Sequence, residues 1–140
     1  MNRRLMIALG IAATLAEGAL WHGPLGAADR FATSVEAQSR AVLDDWEMTA
    51  VDGHLARHPL RRTLILSGTA DEFQRRELPP IMAGVRGVGD VRWADAPRPN
   101  PPRLPLLAEA ELLALAGFGL GLLIAYLLEL RRRYRAEWRW

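Results

Sequence analysis

The sequence predicts an α+β protein, a small α-β-β-α-β domain carried between two transmembrane α-helices. Three observations lead there. The apolar residues that make up 50% of the 140-residue chain gather at its two ends. The stretch between them, Leu25 to Leu104, is charged and balanced, with eleven arginines against eleven carboxylates. Within that middle the apolar period changes from helical to alternating and back again, as expected of mixed secondary structure.

The first apolar stretch runs from Leu5 to Trp21, broken only by Glu17 and preceded by Arg3 and Arg4. His22-Gly23-Pro24 stops it, since glycine and proline end helices. Seventeen residues of helix span about 26 Å, close to a bilayer core of about 30 Å. A secretory signal peptide shares the basic start and apolar middle. Small residues at Ala27-Ala28 do not form a clean Ala-x-Ala, so the segment reads as an uncleaved anchor covering residues 1–24.

The second stretch, Leu112 to Leu128, has no charge at all and is lengthened upstream by Leu104 to Leu107. Glu109 and Glu111 stand at its entry, and Glu129 with Arg131, Arg132, Arg133 and Arg135 at its exit. This is the pattern of a transmembrane helix, placed over 106–130, with a basic stop-transfer flank. The positive-inside rule puts Arg3, Arg4 and the arginine-rich 131–140 tail in the cytoplasm. The expected location is therefore a bacterial inner (cytoplasmic) membrane, with both termini cytoplasmic and the central domain periplasmic.

Elements of the middle domain, residues 25–95, follow in order. Ala28 to Leu43 is amphipathic, with Phe31, Val35, Gln38 and Val42 near one face and Leu43 beside them. Trp46 to Val51 alternates and is expected to be the first strand, followed by a turn at Asp52-Gly53 and a loop through Arg62. Thr63 to Leu66 is rich in β-formers and runs into Ser67-Gly68-Thr69. Asp71 opens a helix with Glu72 in its first turn, where acid suits the dipole. Pro79-Pro80 should break or kink it. Gly87 to Trp93 returns as the last strand. Residues 96–105, with Pro97, Pro99, Pro101 and Pro102, then read as a stiff, extended linker.

These residues carry a resemblance. From roughly Val35 to Trp93 the chain resembles a BON domain, a small module of bacterial envelope proteins. The matching parts are the amphipathic helix leading into a strand, Leu64-Ile65-Leu66-Ser67-Gly68-Thr69-Ala70, and Val85-Arg86-Gly87-Val88-Gly89-Asp90-Val91. The chain departs from the family at Pro79-Pro80 and in the enlarged hairpin Leu55 to Leu60. The resemblance implies binding to phospholipid or to other envelope components, with no active site.

Composition narrows the chemistry. Cysteine is absent and all 18 basic residues are arginine, which excludes a disulfide framework, a thiol nucleophile, zinc-thiolate sites, a Schiff-base lysine and a P-loop. A net charge of +2 offers no footprint for nucleic acid. His54 and His58 are spaced i, i+4, but Gly53 and Pro59 bracket them and no third ligand follows. His22 lies four residues after Gly18, a spacing that also brings macrocycles near membrane helices, although its place at the helix end suits an ordinary solvated histidine. Glu17 is the costly residue, a carboxyl inside an apolar run, either reaching water or meeting a buried partner.

No catalytic, metal or cofactor residues are assigned, and no cofactor is expected. The candidate functional residues are of packing and interface type. Ala8, Ala12 and Ala16 form one small-residue ridge, and Gly117 and Gly121 a G-x-x-x-G pair, suited to helix association within the chain or with a partner. Trp21, Arg131, Arg132, Arg133, Tyr134, Arg135, Trp138, Arg139 and Trp140 interleave aromatics with arginine, as residues do at a headgroup layer or partner groove. The expectation is a non-enzymatic accessory subunit meeting other membrane-complex subunits and phospholipid headgroups. Its rival is an independent envelope-maintenance protein that binds phospholipid or cell wall.

Overall fold

The computed structural model describes residues 2–97 and 103–137. It is α+β, with helices α1 (Arg3–His22), α2 (Ala27–Asp45), α3 (Glu72–Met82) and α4 (Leu106–Glu137). Its strands are β1 (Val51–Leu55), β2 (Thr63–Gly68) and β3 (Asp90–Trp93). Between α1 and α4 the order is α-β-β-α-β, as the sequence predicts. Two helices, Arg4–His22 and Leu106–Tyr134, are long and apolar enough to cross a membrane. Residues 98–102 of the proline-rich stretch expected as a stiff linker lie outside the described residues.

The sheet order is β1-β2-β3, with β1 antiparallel and β3 parallel to β2. Register places Leu55, Leu64 and Val91 side by side, and likewise Gly53, Leu66 and Trp93. That face is covered by α2 and α3. Ala32, Val35 and Leu43 from α2 and Leu78 and Met82 from α3 complete the core with Val51, Val85 and Val88. The opposite face carries Asp52, His54, Ser67 and Arg92. A one-residue slip would exchange the two sets, so the apolar alternation fixes the register.

The first strand begins five residues later than the expected Trp46. Trp46 instead closes α2, its amide donating to Val42 O at 3.2 Å, and Glu47 turns the chain with φ +57°. Met48 N then donates to Leu43 O at 2.8 Å. The alternation from Trp46 to Ala50 belongs to this turn, and the strand forms only at Val51, where register with Gly68 begins. His54 is accordingly a strand residue, and the loop shortens to 56–62.

β1 is an edge strand, and α2 covers its free edge. Glu36 Oε1 accepts from Leu55 N at 3.0 Å, and its Oε2 pairs with Arg57 at 2.8 Å. Arg40 donates to Val51 O at 2.8 Å and Met48 O at 3.1 Å. Side chains that occupy edge groups in this way block strand addition by another chain.

Gly68 ends β2 at φ +116°, and a side chain there would run into the Ala50 carbonyl. Only glycine meets both conditions cheaply. Asp71 then caps α3 reciprocally, accepting from Gln74 N at 2.7 Å while Gln74 Oε1 accepts from Asp71 N at 3.0 Å.

Of the expected break or kink, the break does not occur: α3 runs through Pro79 and Pro80 to Met82. Proline at 79 denies the Arg75 carbonyl its helical donor. The Trp93 indole N–H supplies another at 2.8 Å, from β3. The Arg75 guanidinium lies 4.7 Å from the Trp93 ring centroid and 2.7 Å from Asp95. Its hydrogen bond holds the Asp95 carboxyl below the usual carboxylate range.

α4 is longer than its apolar part. Its 32 residues extend about 48 Å, beyond a hydrocarbon core of about 30 Å. The basic segment expected as a separate tail therefore continues the same helix from Arg131 to Glu137. Trp138, Arg139 and Trp140 lie outside the described residues.

Candidate functional site in the paired apolar helices

α1 and α4 pack against each other, and the seam has its own residue code. Along α1 the half-buried positions are Ile7, Gly10, Thr14, Gly18 and His22. From Gly10 onward they recur every four residues, so they share one face of the helix. Glu111, Leu115 and Phe118 are the corresponding half-buried positions of α4. A Cβ built on Gly10 would lie 2.7 Å from Phe118 Cζ, and one on Gly18 would fall on the Glu111 carboxyl group. Both glycines thus let a larger side chain of α4 lie directly on the α1 backbone. Thr14 satisfies its hydroxyl within α1, donating to Gly10 O at 3.0 Å.

The small-residue ridges singled out in the sequence face elsewhere. Ala8, Ala12 and Ala16 are exposed, and a side chain on Gly117 or Gly121 would meet nothing within 4 Å. They do not form the intrachain contact. The signal that separates the used ridge from the unused one was present: Gly10-Thr14-Gly18-His22 carries polar groups, and a polar group in an apolar helix turns toward a neighbour.

Among the described residues, concavities flank the seam toward both of its ends. Near the sheet domain, a cavity of about 420 Å³ is lined by Thr14, Glu17, Trp21, His22 and Glu111, together with Gly18, Ala110 and Ala114. Glu111 Oε2 and His22 Nδ1 are enclosed there without a hydrogen-bond partner. Glu17, expected either to reach water or to meet a buried partner, is exposed on the wall of this cavity. At the remote end, an apolar groove of about 720 Å³ runs between Met6, Ile7 and Gly10 on one side and Phe118, Leu122 and Tyr126 on the other. Glu129 and Arg133, paired at 3.0 Å, stand at its polar end.

The remaining interface residues sit at the ends of the helices. Trp21 is exposed beside the polar cavity, and Arg131, Arg132, Arg133 and Tyr134 are exposed along the last turns of α4. Arg135 lies in the same helix. His54 is exposed on β1 and His58 on the following loop, so their i, i+4 spacing never becomes one helix face. Among the described residues, no three histidine or acidic side chains group closely enough to hold a metal ion.

Outside the helix pair, Trp46 is 54% and Phe73 65% exposed. Both lie toward the Val51–Gly68 end of the sheet. The helix pair meets the opposite end, where Leu106 N donates to Leu60 O at 2.8 Å and Arg62 faces Glu109 at 3.9 Å.

No family model, curated protein or solved structure matches the chain.

Proposed function

We propose that this chain is a non-enzymatic accessory subunit of a larger membrane protein complex. In this reading α1 and α4 cross a bacterial inner membrane, with both termini cytoplasmic and a BON-like domain in the periplasm. The observation that carries it is the division of faces on the helix pair. One α1 ridge closes the chain on itself, while Ala8, Ala12, Ala16, Gly117 and Gly121 stay open on the outside. Small residues lower the approach distance between membrane helices, where apolar packing against lipid gives no net drive. Two such ridges without an intrachain use suit helices of a partner. The exposed Trp46 and Phe73 would meet the same partner at the far end of the domain, since exposed aromatics supply contact area at interfaces.

Extraction of the tagged chain in mild detergent, native-gel sizing and mass spectrometry of the band test this reading. The expected result is stoichiometric co-migration with one large membrane complex. A lone small species that binds phospholipid vesicles would replace it with the envelope-binding reading.

A further inference from the structure

The polar cavity between α1 and α4 combines unpartnered polar atoms with the absence of any arginine from its lining residues. Glu17 and Glu111 bring two carboxyl groups, His22 is the third ionisable group, and Trp21 adds an indole face. Thr14 has already spent its hydroxyl on Gly10 O. Glu111 Oε2 and His22 Nδ1 are both enclosed and unpartnered, a costly condition for buried polar atoms. The donors do not converge as metal ligands, and about 420 Å³ exceeds the needs of a bare ion. It falls within the range of sites for small organic groups.

From this geometry we infer that the cavity binds the primary ammonium of a phosphatidylethanolamine headgroup. An ammonium carries three N–H donors, which serve the unpartnered Glu111 carboxylate and the Glu17 carboxylate, beside an indole that attracts cations. A trimethylammonium has the charge but no N–H to give the unpartnered Glu111 oxygen. An anionic headgroup meets two carboxylates and is repelled. The location favours a lipid as the source, because the cavity lies at the ends of both apolar spans, at headgroup depth, beside the interfacial Trp21. The inference rests on α1 and α4 crossing a bilayer and does not require a partner subunit.

The test uses the full chain in nanodiscs containing equal parts phosphatidylethanolamine, phosphatidylcholine and phosphatidylglycerol. Mild detergent release is followed by native mass spectrometry of the lipid retained. The expected result is a roughly tenfold preference for phosphatidylethanolamine, the equivalent of one charge-assisted hydrogen bond. Glu111→Gln and Glu17→Gln each reduce it, and the double variant brings it to about one. Glu129→Gln, at the remote groove, leaves it unchanged, and circular dichroism confirms that each variant is folded. Equal retention of the three lipids, or an undiminished preference in the double variant, overturns the inference. So does release of a bound protein by Glu111→Gln without any lipid preference, which would assign the cavity to a partner's arginine. A chain that fails to enter nanodiscs overturns the membrane reading as well, whereas entry without preference overturns this inference alone.

Discussion

At Pro79 the α3 ladder loses a donor, and the carbonyl left over, that of Arg75, is met by the Trp93 indole N–H at 2.8 Å. The arrangement ties helix to sheet at one atom, with the Arg75 guanidinium stacked on the same ring and Asp95 beyond it. Trp93→Phe keeps most of the buried ring but leaves the Arg75 carbonyl without either donor. A cost of about 1–3 kcal/mol follows from an unmade buried hydrogen bond. Pro79→Ala restores the helical N–H to that carbonyl. Trp93→Phe should therefore cost less in the Pro79→Ala background than in the parent chain, a coupling that a double-mutant cycle isolates. Urea unfolding in mild detergent, followed by circular dichroism, measures it. Equal costs in both backgrounds would show that the indole hydrogen bond is not what compensates the proline.

At the scale of elements, the seam between α1 and α4 is the contact on which the candidate site depends. The chain has no cysteine, so introduced pairs report without background. Gly10→Cys with Phe118→Cys should be bridged within one chain by a short thiol-to-thiol crosslinker in native membranes. Ala12→Cys with Gly117→Cys should not, because both positions face away from the seam. Bridging of the second pair in preference to the first, seen as a mobility shift after denaturation, would reverse the assignment of faces. Much of this architecture is legible in the sequence. The two apolar runs, the amphipathic period of α2 and the Asp71 cap each act locally and have local signatures. The start of β1 is not, because Trp46 to Ala50 alternates like a strand while serving as the exit turn of α2. Nor is the continuity of α3, since the donor that compensates Pro79 comes from a strand fourteen residues away. The correct seam was readable only by weighing polarity with size. Alanine and glycine ridges occur on several faces of α1 and α4, and Thr14 and His22 mark the one that closes.

For the whole molecule, the hydrogen bond from Leu106 N to Leu60 O and the Arg62–Glu109 pair attach the domain directly to the start of α4. The proposed partner, gripping both the helices and the domain, would therefore meet surfaces already held in relation to each other, which reduces the ordering cost of association. This assigns separate consequences to separate faces. Ala12→Leu combined with Gly117→Leu adds bulk only on the outer ridges, where there is room for it within the chain. The Gly10–Phe118 crosslink should survive in that variant, and the domain should remain folded. Co-migration with the proposed membrane complex should be mostly lost, because two leucines hold a neighbouring helix away from the backbone. Native-gel sizing of the variant beside the parent, with the crosslink as the internal control, distinguishes the possibilities. Undiminished co-migration with the crosslink intact would remove these ridges from the interface and leave the domain's Trp46 and Phe73 as the contacts to alter next. Loss of the crosslink together with co-migration would place the same ridges inside the chain's own helix packing, against the geometry described above.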